Sequence, residues 1–393
     1  MLWIVVLWIV LLISILGLYW IYDGYGRFLQ VCSLVYGAAP VKTREAATID
    51  TQKQLPSITV LLTVHNEERV IEDRIQNLLQ CDYPRHLLDI LVASDGSTDR
   101  TAEIVSRYAD SGVRLLESPG LGKTATQNLA FRQIESELVV FTDADIQFDT
   151  GFLRQIAGPF ADPLVGAVDG RLLYTRDEQP TTVVGQGFYW NYELKVRYLE
   201  SRMGLLAVVA GACFALRRKL FVPMDPSIGE DCIVPLDVVS QGYLVLHEPT
   251  AVAYDRYDDS AELTLRRRIR MTLRNWQGTW TRPALLNPLK KPGYAFALWS
   301  HKLLRWLSPV FLGLATCSAT GLLVAAPGWL SILAVMPFVM LFGLAASGWM
   351  AGRTGLRLPG AGTAFSFVLA NTAFMIGIWR ATLGERIHSY RNG

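Results

Sequence analysis

Long apolar segments at both ends of the chain constrain its fold more than any other feature. Residues 1–22 carry no charged side chain and, at about 1.5 Å per residue, can cross a hydrocarbon core about 30 Å thick. A signal peptide would have a basic beginning and a cleavage site between small residues, and neither is present. The segment therefore predicts an uncleaved membrane anchor. From about residue 306 the chain is apolar again, with candidate spans at 307–326, 329–350 and 363–379.

Basic residues beside these spans predict on which side of the membrane the central segment lies. Five of them flank the central segment: Arg27, Lys42, Arg44, Lys302 and Arg305. By the positive-inside rule the central segment faces the cytoplasm. The connection between the last two spans and the C-terminal tail are also basic, so both are expected on that side. The last apolar stretch should then not cross completely: it is re-entrant or interfacial, or the number of spans is wrong by one.

The central segment, about 250 residues of mixed composition, has the size of one α/β domain. The five cysteines lack paired or metal-ligand spacing, which fits a reducing compartment. The net charge of +2 conceals a block from Leu263 to Arg305 with ten Lys/Arg and no Asp/Glu. Such a block beside membrane spans fits attraction to anionic headgroups or to a phosphate-bearing substrate. A nucleic-acid partner is not expected, because membrane spans flank the block.

Strand and helix patterns alternate within the central segment. Four short apolar runs predict strands at 58–64, 89–95, 113–118 and 137–143. Helical stretches separate them at 67–80, 97–108 and 122–134. Connections this short indicate βαβ units, so we predict an α/β fold with a Rossmann-like, mostly parallel sheet. In such sheets ligands bind at the carboxyl ends of the strands.

Polar and acidic residues stand at the ends of three predicted strands. They are His65, Asn66 and Glu67 at the first strand, Asp95 at the second, and Asp143 and Asp145 at the fourth. Asp95 alone could cap a helix, but acids from three strands at one sheet edge indicate a ligand or a cation. Side chains two residues apart in an extended segment point the same way, so Asp143 and Asp145 face one site. Carboxylate oxygens without His or Cys select Mg²⁺ or Mn²⁺, whose remaining ligands would come from a diphosphate.

A glycine-rich stretch at residues 118–125, SPGLGKTA, suggests a phosphate-binding P-loop. The P-loop pattern requires a glycine five residues before Gly122, and that position is Glu117. A P-loop ATPase is therefore not expected. Lys123 nevertheless opens a helix beside the acidic edge, which is a favourable position for the anionic part of a nucleotide.

Several motifs of the central segment together resemble one enzyme family. ITVLLTVHNEE, DILVASDGSTDRT, GKTATQNLA and VVFTDADI, in this order and spacing, are similar to the family 2 glycosyltransferases with a GT-A fold. That family includes cellulose, chitin and hyaluronan synthases. The similarity continues through GACFALRRKLF, GEDCIVPLDVVSQGY and HEPTAVAYDR and covers about residues 57–305. LLNPL and SHKLLRW also resemble the membrane-proximal part of bacterial exopolysaccharide transferases.

The resemblance implies a role for each residue that matches a motif. The nucleotide-binding residues would be His65, Asn66, Glu67, Asp95, Lys123 and Asp143. Asp143 and Asp145 would hold the metal ion, and Asp231 would be the general base that deprotonates an acceptor hydroxyl. Glu230 and Asp231 also open a helical pattern that ends at a glycine, where acids are favoured by the helix dipole alone. The placement of the two acids is therefore compatible with either explanation.

The chain departs from the processive synthases of this family at one motif. Where those enzymes have Gln-x-x-Arg-Trp, residues 267–271 read RRIRM, which keeps the arginine and loses the tryptophan. Arg267, Arg270 and Arg274 have the spacing of one helix face, which suits a diphosphate or lipid phosphates. The residues expected around the diphosphate and the acceptor are Gly211, Glu230, Arg267, Arg270, Arg274 and Trp276. The lost tryptophan and the small number of spans argue against long processive polymerisation.

These patterns divide the chain into five parts. They are a transmembrane helix at 1–24, a juxtamembrane linker at 25–56, a GT-A domain at 57–262, a basic and interfacial segment at 263–305, and a membrane region of two or three helices at 306–393. The expected architecture is a cytoplasmic GT-A domain flanked by transmembrane helices.

The expected function is inverting, metal-dependent glycosyl transfer at the inner membrane. The donor would be a UDP-sugar and the acceptor a lipid-linked or growing glycan in exopolysaccharide synthesis, with membrane lipids and other polysaccharide-synthesis proteins as further partners. Two alternatives stay open. One is a polyprenyl-phosphate sugar transferase, whose phosphate acceptor needs no base. The other is a non-catalytic scaffold that binds a nucleotide sugar in an export complex, against which Asp143, Asp145 and Asp231 argue.

Overall fold

The computed structural model describes residues 1–35, 55–175, 183–256, 261–354 and 358–387 of the chain. Three parts of the sequence-based prediction lie outside these residues: most of the linker (36–54, with Lys42 and Arg44), part of the basic connection between the last two spans (355–357) and the end of the basic tail (388–393).

The described residues contain eight strands and fifteen α-helices. The strands are β1 (Ile58–Val64), β2 (Leu88–Asp95), β3 (Val113–Ser118), β4 (Leu138–Thr142), β5 (Gln147–Phe148), β6 (Val165–Thr175), β7 (Cys213–Arg217) and β8 (Leu244–Arg256). The helices are α1 (Leu2–Tyr19), α2 (Tyr25–Val35), α3 (Ile71–Leu79), α4 (Thr101–Ser106), α5 (Lys123–Phe131), α6 (Phe152–Ala157), α7 (Val183–Arg202), α8 (Glu230–Ser240), α9 (Ala261–Trp280), α10 (Pro283–Leu286), α11 (Pro292–Leu298), α12 (Leu304–Trp306), α13 (Ser308–Ala325), α14 (Trp329–Thr354) and α15 (Ala361–Thr382).

The strands form one mixed sheet in the order β3-β2-β1-β4-β7-β6-β8-β5. The first four are parallel, as the βαβ pattern predicts. β7 then pairs antiparallel with both β4 and β6, and β5 pairs antiparallel with β8. The prediction of a mostly parallel sheet is therefore correct for the N-terminal half. The whole sheet is mixed, because β7 and β5 run antiparallel to their neighbours while β6 and β8 pair in parallel.

β1 lies inside the sheet and every one of its residues is buried. Its alternate side chains enter two different cores. Val60 and Leu62 pack in a core with residues of α3, α4 and α6, whereas Leu61 packs in one with residues of α5, α8 and α10. A strand covered on both faces reads as a continuous apolar run, which explains why the sequence pattern of β1 shows no alternation.

Within the described residues, four helical segments are long and apolar enough to cross a membrane. They are Leu2–Val35, Ser308–Ala325, Trp329–Ala351 and Ala361–Thr382. In the first, α1 continues into α2 through a π-helical turn at Trp20–Gly24. α1 runs antiparallel to α13, because Gly17 lies against Phe311 and Leu7 lies against Gly321.

The last apolar helix, α15, packs on the central domain along its C-terminal half. Phe374 belongs to the same core as Trp306, and a Cβ added to Gly377 would lie 2.7 Å from Cβ of Thr272 on α9. The beginning of α15 lies against Gly348 of α14 instead. Whether this helix crosses the membrane completely, or the predicted number of spans is wrong by one, stays a prediction of the sequence analysis.

A buried network of charged side chains joins α7 to the segment that leads into the membrane helices. Glu193 on α7 contacts Arg197 (2.9 Å), His301 (3.1 Å), Lys302 (3.3 Å) and Arg305. Burial alone would raise the pKa of Glu193, but these neighbours lower it well below its ordinary value. Glu193 is therefore held as a carboxylate among cations.

The ring of His301 lies between two carboxylates in this network. Its Nδ1 is 2.9 Å from Glu200 and its Nε2 is 3.1 Å from Glu193. A neutral imidazole has only one N–H, so the arrangement requires one more proton, on the ring or on a carboxyl. Glu200 also accepts a hydrogen bond of 2.7 Å from the Tyr25 hydroxyl. The network thus connects α7 with the N-terminal membrane helix as well.

Glu193→Gln should destabilise the protein by about 3–5 kcal/mol, because it leaves buried cations without their partner. Thermal unfolding of the full chain in detergent measures the effect. Glu262→Gln is the matched control: its exposed ion pair with Arg266 should contribute at most about 1 kcal/mol. Equal melting temperatures for the two variants would contradict a structural role of the network.

Candidate active site

The carboxyl ends of β1, β2 and β4 lie side by side, because β1 pairs in parallel with both other strands. His65 follows β1, Asp95 is the last residue of β2, and Asp143 follows β4 directly. The sheet therefore brings the polar residues of the three predicted strand ends to one edge, where the sequence pattern places them.

Asp95 is buried, and hydrogen bonds within the protein occupy its carboxylate. The backbone N–H of Gly122 lies 3.0 and 3.1 Å from its two oxygens, and the hydroxyls of Thr126 (2.8 Å) and Ser118 (3.1 Å) donate to Oδ1. Asp95 thereby fixes the loop that begins α5, and with it Lys123. The geometry supports a positioning role for Asp95, and its contact with a nucleotide stays a prediction.

The loop after β1 is fastened to the loop after β2. Asn66 has φ of 58°, an uncommon left-handed conformation for a residue other than glycine, and its Oδ1 accepts the backbone N–H of Thr98 at 2.8 Å. The backbone N–H of Glu67 donates to Thr101 Oγ1 at 2.9 Å. His65 provides a further contact between the ends of β1 and β2, because its Nδ1 lies 2.7 Å from the carbonyl oxygen of Asp95.

Glu67, Asp143 and Asp145 form a group of mutually repelling carboxyls at this edge. Desolvation, followed by repulsion from Asp145 and Asp143, raises the pKa of Glu67 to about 7. Partial desolvation in the cleft and repulsion from Asp143 raise the pKa of Asp145. Raised pKa values on neighbouring carboxyls show negative charge that a bound cation would stabilise.

The acidic edge fits a metal ion that shares its coordination with a substrate. Within the described residues, no three His, Cys, Asp or Glu side chains are arranged as a preformed metal cage. Mg²⁺ commonly takes only one or two carboxylates and completes its shell with water and substrate phosphates. Asp143 and Asp145 are therefore the residues suited to hold Mg²⁺ or Mn²⁺ together with a diphosphate.

Lys123 connects the acidic edge to the first turn of α8. Its Nζ lies 2.6 Å from Oδ1 of Asp143 and 2.5 Å from Oε1 of Glu230. Burial alone would raise the pKa of Glu230, but attraction from Lys123 and Arg274 lowers it. The ammonium group of Lys123 thus neutralises Glu230 and stands where an anionic donor group would meet the site.

Asp231 is adjacent to Glu230 but has the opposite electrostatic environment. Desolvation and repulsion from Glu230 raise the pKa of Asp231, while a hydrogen bond from Asn275 opposes the shift. Gly211 lies directly against it, since an added Cβ would be 3.3 Å from Cβ of Asp231. A partly exposed carboxyl with a raised pKa is a candidate for acid–base chemistry.

The three arginines of α9 that the sequence analysis assigns to the diphosphate have different surroundings. Arg267 is close enough to the acidic edge to lower the pKa of Asp145. Arg274 donates to Thr124 Oγ1 (2.7 Å) and to the carbonyl oxygen of Ile228 (2.8 Å), so its guanidinium is used within the protein. Arg270 is partly exposed between them in the chain.

Trp276 lies in an aromatic cluster at the membrane side of α9. Its ring centroid is 5.8 Å from that of Trp280 and 6.1 Å from that of Trp306, both in edge-to-face geometry. The structure therefore gives Trp276 packing partners, and its contact with an acceptor stays a prediction.

Residues 59–222 match the family model described as Glycosyl transferase family 2. The match includes the strand ends with Asp95, Asp143 and Asp145, and it stops before Asp231. This part of the chain is a glycosyl transferase family 2 domain. The family resemblance predicted from the motifs is confirmed.

Curated relatives of the family 2 domain are similar over longer stretches. A Bacillus subtilis protein described as "Probable glycosyltransferase YdaM" is 26% identical over 244 residues, 56% of each chain. An N-acetylglucosaminyltransferase of Sinorhizobium fredii is 27% identical over 326 residues, 77% of each chain. The poly-beta-1,6-N-acetyl-D-glucosamine synthase of Staphylococcus aureus is 26% identical over 213 residues, 51% of this chain and 50% of the synthase. The chain thus spans about half the length of two of these relatives.

A solved structure supports the fold of the family 2 domain. The mannosyltransferase PcManGT from Pyrobaculum calidifontis, in complex with GDP-Man and Mn²⁺, superposes with a TM-score of 0.67 at 20% identity. The match covers 96% of this chain and 99% of that one. At this identity the similarity concerns the fold alone, and it confirms the predicted GT-A-like architecture.

Arg74 is a buried cation of the family 2 domain that sequence reasoning missed. It is fully buried beneath the end of β4, where its guanidinium donates to Thr142 Oγ1 (2.7 Å) and lies 4.2 Å from the centre of the Phe148 ring. Burial lowers the pKa of Arg74 to about 9, so it stays charged at neutral pH. The missed signal was periodicity, because Arg74 lies on the same face of α3 as Ile71 and Leu78.

Arg274→Lys should destabilise the ligand-free protein by about 1–3 kcal/mol, because one ammonium cannot replace the guanidinium donors to Thr124 and Ile228. Thermal unfolding in detergent without nucleotide measures this. Arg266→Lys, at an exposed position of the same helix, should leave the melting temperature unchanged. A melting temperature of Arg274→Lys equal to that of the unaltered chain would show that Arg274 has no structural role.

Proposed function

We propose that this chain is a membrane-anchored, inverting glycosyltransferase. It would transfer a sugar from a nucleotide diphosphate donor to a hydroxyl of a lipid-linked or growing glycan at the cytoplasmic membrane face. One observation carries the proposal: Lys123 joins the acidic strand end at Asp143 to Glu230, and so places the candidate base Asp231 next to the candidate diphosphate site.

The donor half of the reaction would take place at the acidic edge. Asp143 and Asp145 would hold Mg²⁺ or Mn²⁺, which when bound supplies charge neutralisation for the leaving diphosphate. Lys123 and Arg267 are the nearby cations of this chain that would bind and orient the phosphates. Asp95 would keep the loop before Lys123 in place during the reaction.

The acceptor half would depend on Asp231. An acceptor hydroxyl becomes a nucleophile when Asp231 removes its proton, and a single displacement at the anomeric carbon inverts its configuration. An α-linked donor would then give a β-linked product. Lys123 neutralises Glu230, whereas the hydrogen-bond partner of the adjacent Asp231 is the neutral amide of Asn275. Of these two acids, Asp231 is therefore the one without a cationic partner at bonding distance in the described part of the chain.

The names of the relatives indicate which substrates should be tested first. They include N-acetylglucosaminyltransferases and a poly-beta-1,6-N-acetyl-D-glucosamine synthase, and a further relative is a beta-monoglucosyldiacylglycerol synthase. These names support a UDP-sugar donor, with UDP-N-acetylglucosamine as the first compound to test. They support an acceptor in polysaccharide or glycolipid synthesis. Four apolar helices and the positive-inside pattern support an inner-membrane protein whose domain is cytoplasmic.

Nucleotide release from the donor should require a divalent metal ion. We expect the detergent-solubilised full chain to release UDP from UDP-N-acetylglucosamine with Mg²⁺ or Mn²⁺, to stop in EDTA, and to recover when Mn²⁺ is added. A panel with UDP-glucose and GDP-mannose identifies the preferred donor. Turnover of none of these compounds would favour the non-catalytic scaffold, and full activity in EDTA would contradict the metal site.

Asp145→Asn should raise the Mn²⁺ concentration needed for half-maximal nucleotide release by about tenfold or more, because a charged ligand becomes neutral. Asp149→Asn is the control, since Asp149 is exposed and its carboxylate accepts the nearby backbone N–H of Gly151. An unchanged metal requirement in Asp145→Asn would show that the ion binds elsewhere.

Asp231→Asn should lower transfer to a hydroxyl acceptor by about 10²–10⁴-fold, which is the usual contribution of a general base. Radiolabelled product formed from the preferred donor and an extract of bacterial membrane lipids measures transfer. Asp237→Asn is the control on the same helix, because Asp237 pairs with Arg282 away from Asp231. Retention of the rate by Asp231→Asn would favour a phosphate acceptor, which is the polyprenyl-phosphate alternative.

A further inference from the structure

Asn275 of α9 reaches the candidate base from a part of the chain that lies beyond the family match. Its Nδ2 donates to Oδ2 of Asp231 at 3.3 Å. A carboxylate oxygen is only an acceptor, so the amide nitrogen, and not the amide oxygen, must face it. This contact joins α8 and α9, which are 44 residues apart at this point.

The backbone of Asn275 is held in place by α8 as well. Its carbonyl oxygen accepts a hydrogen bond of 2.8 Å from Thr279 Oγ1 and lies 3.5 Å from Sγ of Cys232, the residue after Asp231. Arg274, the preceding residue, is fixed through Ile228 just before α8. Asn275 therefore has a defined position relative to Asp231 before any substrate is bound.

The two oxygens of Asp231 have different surroundings as a result. Oδ2 is engaged by Asn275, whereas Oδ1 lies beside Gly229, where an added Cβ would collide with it. Gly211 lines the same carboxyl, again without a side chain. The two glycines thus allow the backbone to pack closely against the carboxyl of Asp231, which a larger residue at either position would displace.

The hydrogen bond from Asn275 also affects the pKa of Asp231. Desolvation and Glu230 raise the pKa of Asp231, and the hydrogen bond from Asn275 comes first among the interactions that lower it. Arg274 and Lys123 also lower the pKa of Asp231. The groups that act on Asp231 are thus Lys123 from α5, Glu230 from α8, and Arg274 and Asn275 from α9. Without the amide, the pKa of Asp231 would rise further, because its charged form would lose a hydrogen-bond donor.

We infer that Asn275 is a positioning residue for the general base: it holds Oδ2 of Asp231 and thereby directs Oδ1 to the hydroxyl of the acceptor. This inference rests on the proposed role of Asp231 as base. The inference assigns the side chain of Asn275 to the base and not to the donor. Its loss should therefore impair proton removal and leave donor binding intact.

The test compares the pH dependence of transfer in Asn275→Ala, Asn275→Asp and the unaltered full chain. The assay uses the preferred donor of the panel, Mn²⁺ and an extract of bacterial membrane lipids. Asn275→Ala should lower kcat by about tenfold at neutral pH, less than removal of the base itself. The acidic limb of the profile should move to higher pH by about one unit, because the charged form of Asp231 loses a donor. Asn275→Asp should move the limb further, since a second carboxyl then repels Asp231, and KM for the donor should stay unchanged in both variants.

Asn128→Ala is the control for a purely structural effect. Asn128 on α5 exchanges two hydrogen bonds with the backbone of Met224, at 2.7 and 2.9 Å, and does not contact Asp231. Its loss should lower the melting temperature without moving the acidic limb. If Asn275→Ala likewise lowers only the melting temperature, the inference is wrong.

Asp231→Asn in the same assay separates this inference from the proposed function. Loss of transfer in Asp231→Asn together with an unshifted pH profile in Asn275→Ala would overturn only the role of Asn275. Retention of transfer in Asp231→Asn would overturn both, because there would be no base to position.

Discussion

The ammonium group of Lys123 is the interaction on which the arrangement of the site depends. Asp143 directly follows β4 in the middle of the sheet, and Glu230 begins α8, 87 residues later in the chain. Both carboxylates nevertheless lie within 2.6 Å of Nζ of Lys123. Without a cation between them, two partly buried carboxylates would repel each other. The position of Lys123 is in turn fixed by Asp95, which binds the backbone N–H of Gly122. A buried acid in one strand thus determines where a cation meets the acids of two other elements.

Neutralisation of Glu230 also explains how two adjacent acids can have different properties. Glu230 is buried against Lys123, and its pKa is lowered. Asp231 receives the repulsion of Glu230 and a single neutral donor, Asn275, and its pKa is raised. The first turn of one helix therefore holds two adjacent carboxyls whose pKa values are shifted in opposite directions. Divergent pKa values in neighbouring acids are typical of sites that perform acid–base chemistry.

The sequence was sufficient to predict the strands β1 to β4 and the acids at the ends of β1, β2 and β4. β1 and β4 are continuous, mainly apolar buried runs, and a short polar motif stands at each of the three ends. The antiparallel β7 was not predicted, since strand pairing across long connections leaves no local pattern. Spacing predicted correctly that Arg274 lies on α9, but not that its guanidinium faces Thr124. Asn275 could not be found from sequence, because an asparagine inside a basic helix has no pattern that distinguishes it. The folded structure was needed to show which polar groups meet.

Helix α9 contacts both the candidate catalytic residues and the apolar helix α15. On one side it carries Arg267 and Asn275 toward the acidic edge and the candidate base. On the other it packs closely against α15, where Gly377 admits Thr272 because it lacks a side chain. A rotation of α9 by a fraction of a turn would withdraw the amide of Asn275 from Asp231, so the contact with α15 helps to set the geometry of the base. The contact between α9 and α15 therefore makes the apolar C-terminal region part of the framework of the candidate active site.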